Sequence, residues 1–266
     1  FTLLAPDRAP AEKRQLDVAG AITVTLSSML AIYGIVNGTY ALLAVAAALL
    51  AVFLVLESRV RDPLMPLRLF RIRSVAVSNV IGVLWAAAMF ARFFISALYM
   101  QLVLGYTPMQ IGLAFLPSNL IMAAFSIGIS AKLVMRFGLK LPIAAGMLLA
   151  AAGLGLFALA PNGGSFLVHV LPGMLLLGVG CGMALNPVML AGMSDVDPSE
   201  SGLASGVLNT SFMMGGALGL AALASLAEAK GYHAAFAVGA LFALLAALIT
   251  GLLDSRPAEI SQGEAA

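Results

Sequence analysis

Residues 18–56 read VAGAITVTLSSMLAIYGIV, then Asn37-Gly38, then TYALLAVAAALLAVFLVL, two long apolar runs separated by a turn dipeptide. A helix needs roughly 20 apolar residues to cross about 30 Å of hydrocarbon, so each run is long enough to span a bilayer. Asn-Gly between them reverses the chain. The reading repeats along the sequence. Spans are expected at Val18 to Val36, Thr39 to Leu56, Val75 to about Leu104, Pro108 to Ala131, Leu141 to Ala160, Phe166 to about Ala191, Leu203 to Ala227 and Tyr232 to Leu253. The third and sixth runs are longer than a bilayer requires and should tilt or break, with Pro172 and Pro187 as kink points in the sixth.

Composition points the same way. Hydrophobic residues make up 62% of the 266 and charged residues only 10%, with a mean hydropathy of +1.05. A soluble domain of this size has no use for that much apolar surface. The expected fold is an all-α integral membrane bundle of about eight helices with the lipid bilayer as its surroundings. Basic residues near span ends are retained in the cytoplasm. With the N-terminal segment cytoplasmic, twelve of the 14 Lys and Arg fall on that side, Lys230 lies opposite, and Arg92 lies within a span. Both termini are then cytoplasmic in a multi-pass protein of a cell membrane, read as a bacterial inner membrane. The net charge of +2 is spread over loops and implies no nucleic acid.

Phe1-Thr2-Leu3-Leu4-Ala5 reads as the exit of a preceding apolar helix, so the chain is expected to be a fragment. Residues 1–16 are expected as a cytoplasmic segment and 254–266 as a disordered tail. Between them, residues 57–74 alternate Arg with Leu, Met and Phe, as in Pro66-Leu67-Arg68-Leu69-Phe70-Arg71-Ile72-Arg73. That pattern predicts a short amphipathic helix at the cytoplasmic interface, serving as a lipid contact, a brace or ordinary flanking charge. Cys181 sits among Gly178, Gly180 and Gly182 and reads as a small packing residue.

A charge in hydrocarbon costs about 2.5 to 3.5 kcal/mol even on the gentlest scale and usually faces protein or water. Arg92 is the one such charge. Trp85, Met89, Arg92, Ser96 and Tyr99 recur at helical spacing and share one face of an α-helix. That face suits a cavity for amphipathic molecules; alternatively Arg92 snorkels to the outer headgroups. Asn119 and Asn209 are further candidates for the cavity wall. Asn186, like them, is also suited to bonding a backbone group that a nearby proline frees, and His169 reads as interfacial. Gly215 and Gly219, four apart, predict close helix packing. The sequence holds no metal-ligand set, no catalytic constellation and no nucleotide loop, so neither a cofactor nor an enzyme is expected.

The run from Gln101 to Pro117, QLVLGYTPMQIGLAFLP, resembles the opening of the C-terminal domain of fourteen-span drug:proton antiporters in the major facilitator superfamily. So do Pro172 to Gly180, PGMLLLGVG, Glu200 to Thr210, ESGLASGVLNT, and Gly215-Gly216-Ala217-Leu218-Gly219. The resemblance covers almost the whole chain, from the start of the first span at Leu16-Asp17-Val18-Ala19-Gly20. It implies that 17–56 is an extra helix pair linking two bundles, that 75–253 is the six-helix C-terminal bundle, and that the N-terminal bundle is missing. The family's gating motif is matched by Arg136, Gly138 and Lys140, but Ala131 and Met135 replace its Gly and Asp. The copy is therefore read as a degenerate repeat that serves topology.

The resemblance implies a secondary active transporter that exports drugs or other amphiphilic small molecules against protons. No carboxylate lies deep in a span, so the coupling acid would lie in the missing bundle. Two other classes remain open. The chain is alternatively a complete eight-span scaffold or partner subunit, or an integral-membrane enzyme.

Overall fold

The structure, a computed structural model, describes residues 17–60, 63–161 and 164–253. The expectations for residues 1–16 and 254–266, and for parts of two loops, lie outside the described residues. Eight helices are long and apolar enough to cross a membrane, and no strand occurs among the described residues. They are α1 (Val18–Val36), α2 (Tyr40–Glu57), α3 (Arg73–Val103), α4 (Pro108–Phe137), α5 (Lys140–Ala158), α6 (Phe166–Ala191), α7 (Pro198–Lys230, opening on a single 3-10 turn) and α8 (Tyr232–Thr250).

Local chemistry sets several ends. Asp17 caps α1, its Oδ1 accepting from Gly20 N at 2.8 Å. Gly38 adopts a φ of 63° in the α1–α2 turn, a conformation that suits a residue with no Cβ. Thr107 and Gln110 form a reciprocal capping box at α4, with Pro108 in the first turn where its missing N–H costs nothing.

Of the two outcomes expected for the long spans, tilting or breaking, a break does not occur. The third stays continuous but carries two wide π-turns, Ala91–Ile95 and Tyr99–Val103. The fourth has one at Phe125–Ile129 and runs on to Phe137, six residues past the expected Ala131. The sixth begins with one at Phe166–Val170 and keeps Pro187 inside the helix. Each π-turn changes the rotational phase of the residues beyond it.

Packing runs α4 to α6 to α5 to α8 to α3 to α7, while α1 pairs with α2 and docks on α7. Glycines make the closest approaches. A Cβ on Gly146 would lie 2.7 Å from Gly180 O, and one on Gly153 the same distance from Gly173 O, so α5 and α6 touch backbone to backbone. Gly178 and Gly182 turn instead to α4, where a Cβ would meet Ser118 O at 2.5 Å and Met122 O at 2.6 Å. The Gly178-x-Gly180-x-Gly182 run thus serves two neighbours at once, as small residues do in lipid. Gly215 packs on Val83 and Gly219 on Ala87, joining α7 to α3.

The linker departs from the expected amphipathic helix. It forms only a five-residue 3-10 helix, Leu67–Arg71. Its apolar side faces protein: Leu69 packs in a small cluster with Val75, Val196, Ala204 and Val207. Arg68 forms an ion pair with Glu200 at the start of α7. The linker therefore fastens to the loop between α6 and α7.

Candidate functional site

Arg92 is 1% exposed. It lies 11 residues before the end of α3, and its guanidinium is bonded to the neighbouring helix α4. The snorkelling alternative does not describe it. Away from their loop the α3 and α4 backbones make little close contact, and the Arg92 side chain reaches across to α4. Nη2 donates to Ser118 Oγ at 2.6 Å and to Asn119 Oδ1 at 3.1 Å, and Nη1 faces the Met122 thioether at 3.9 Å. Ser118 Oγ in turn donates to Met174 O on α6 at 2.6 Å. One hydroxyl thereby links three helices.

All the groups that receive the guanidinium are neutral, and no carboxylate pairs with it among the described residues. Its Nε has no hydrogen-bond partner there. The Phe93 ring lies 4.3 Å from the guanidinium carbon and is itself 5.8 Å from Phe115. Phe93 is exposed, and Phe115, Asn119 and Met122 are half-buried, so the charge lies one side chain beneath an aromatic and thioether rim.

The helical face read from the sequence divides at the π-turns. Met89 receives the Cys181 thiol from α6. Tyr99 points elsewhere, into a ring cluster with Phe157 on α5 and Tyr232, His233 and Phe236 on α8. Trp85 and Ser96 are fully buried, and Trp85 Nε1, Ser96 Oγ and Tyr99 OH lack hydrogen-bond partners among the described residues. Asn119 joins Arg92, whereas Asn209 is exposed on α7. Ser118 and Met122 escaped the sequence reading; both lie within one helical turn of Asn119, which was the available signal.

Elsewhere polar residues serve the backbone. Asn186 Nδ2 donates to Ser126 O and Oγ inside the α4 π-turn, at 3.1 and 3.0 Å. Gly138 turns α4 into α5 at a φ of 72°, the Arg136 guanidinium stacks on Phe137, and Lys140 Nζ donates to Gly251 O at 3.4 Å. Among the described residues no group of His, Cys, Asp and Glu is placed to hold a metal.

These features define a multi-pass, all-α membrane bundle with a buried, bonded cation in its interior. Residues 16–220 match the Major Facilitator Superfamily, and the chain belongs to that family. Similar proteins include the puromycin resistance protein of Streptomyces alboniger, 35% identical over 81% of this chain and 48% of the relative. The cephamycin export protein of Amycolatopsis lactamdurans is 33% identical over 95% of this chain and 56% of its own length. The tetracenomycin C resistance and export protein of Streptomyces glaucescens is 31% identical over 86% and 44%. The chain spans about half the length of these curated relatives.

Proposed function

We propose that this chain is the C-terminal portion of a fourteen-span transporter that exports drugs or other amphiphilic molecules, driven by the proton gradient, from the cytoplasm of a bacterium. The observation that carries this reading is family membership together with relatives whose names record antibiotic resistance or export. Both termini are taken as cytoplasmic, following the distribution of Lys and Arg.

In this reading α1 and α2 are the helix pair between two bundles and α3 to α8 form one bundle. An N-terminal bundle completes the substrate path, since such transporters bind between two repeats near the midplane. Arg92 and Asn119, with Met89 behind them, form part of the cavity wall. Trp85, Ser96 and Tyr99 supply buried polar groups on the same helix, and Asn209 lies on a second face turned towards the path. The Arg136, Gly138 and Lys140 stretch keeps the α4–α5 turn and has no gating acid. The proton-binding carboxylate is assigned to the N-terminal bundle, because among the described residues the acids lie at or near helix ends and in loops.

The test is accumulation of ethidium in an efflux-deficient bacterium that expresses the complete protein. Lower accumulation than in cells with the empty vector, abolished when a protonophore collapses the gradient, is expected. Equal accumulation in both strains for ethidium and for a panel of antibiotics would overturn the reading and favour a scaffold.

A further inference from the structure

We infer that the Arg92 site recognises an acidic group, so that the molecules carried include aromatic or amphiphilic carboxylates. This rests on the transport reading above and adds a substrate class to it. The argument is one of donors and acceptors. Arg92 brings five N–H donors and a permanent charge into a membrane interior. Ser118 Oγ and Asn119 Oδ1 accept from Nη2, a thioether is the sole partner of Nη1, and Nε has none among the described residues.

Both oxygens are neutral and already accept from the guanidinium. Ser118 donates its own proton to Met174 O, and Asn119 Oδ1 accepts from Arg92. The site therefore has guanidinium donors to spare and no anionic acceptor among the described residues. A cationic ligand would meet a like charge with nothing to offset it. A carboxylate would accept from the spare guanidinium donors and neutralise the charge, and such ionic hydrogen bonds are the stronger kind. The covering groups fit the rest of the molecule: Phe93, Phe115 and Met122 offer two rings and a thioether to an apolar or aromatic body.

The experiment uses the complete protein. Export of carboxyfluorescein and of ethidium is measured in everted vesicles for the wild type, Arg92→Gln and Arg92→Lys, normalised to membrane abundance. The ratio of carboxyfluorescein to ethidium export is expected to fall about tenfold or more in Arg92→Gln, the loss of one charged hydrogen-bond set. Arg92→Lys should fall in between. An unchanged ratio would overturn the inference.

A second measurement needs no variant. The melting temperature of the purified wild type should rise with 2-naphthoate and not with 2-naphthamide, which has the same ring and no charge. Equal shifts would overturn the inference and point to an acidic side chain elsewhere in the longer protein as the counter-charge. If the wild type moves neither dye, the transport reading fails by itself, and the naphthoate comparison still decides whether the site binds acids.

Discussion

Arg92 on α3 and Ser118 on α4 meet at 2.6 Å where the two helices lack the close backbone packing seen elsewhere in the bundle, and the same serine hydroxyl continues to Met174 O on α6. A long cation thus does what backbone contact does elsewhere in the bundle. Ser118→Ala removes one acceptor from a buried guanidinium and one donor from a buried carbonyl. We expect a stability loss of about 1 to 3 kcal/mol, read as a lower melting temperature in detergent. Stability equal to the wild type would mean that the bridge contributes nothing.

Glycine contacts make a paired prediction. In Gly215→Ala the new Cβ would lie 2.6 Å from Val83 Cα and 2.8 Å from Val83 O, so α3 and α7 must separate, at a cost of about 1 to 3 kcal/mol. Gly155 on α5 meets nothing within 4 Å, and Gly155→Ala should be neutral or stabilising by up to about 1 kcal/mol through helix propensity. Folded yield of the two variants after detergent extraction checks both.

Cys181 is 1% exposed and lies against Met89. It should react with N-ethylmaleimide far more slowly than a cysteine placed at exposed position 209 by Asn209→Cys. Comparable labelling of the two in native membranes would contradict the packing described for α6.

At the linker the apolar cluster should outweigh the ion pair. The Arg68 side chain is 66% exposed, and surface pairs of this kind contribute about 0 to 1 kcal/mol, so Glu200→Gln should cost less than that. Leu69, 1% exposed, should cost about 2 to 5 kcal/mol on change to Ala. Melting temperatures of the two variants decide the order.

Span number and position were legible because apolar length is a direct requirement of the bilayer. The first helix ends where the sequence placed it, at Val18 and Val36, since Asp17 and Asn37-Gly38 punctuate it. Gly215 and Gly219 were legible as packing residues for the same reason: in lipid a missing side chain is the main way two helices approach. The π-turns were not legible. Residues 91–95 carry no proline or glycine to mark a widened turn. Its consequence was therefore hidden too: counting in α-helical steps put Arg92 and Tyr99 on one face, while the structure sends one to α4 and the other to α5 and α8. The depth of Arg92 was undecided for a related reason, because its partners Ser118 and Asn119 are 26 and 27 residues away in sequence. The linker misled by its period, since alternating Arg and apolar residues suit a lipid surface and a protein surface equally well.

Transport is the central claim, and reconstitution tests it most directly. The complete protein in proteoliposomes, with an imposed pH gradient and ethidium outside, should move the dye in the direction that dissipates the gradient and stop on addition of nigericin. Dye movement no greater than in protein-free liposomes, with the protein shown to be folded and inserted, would contradict the account.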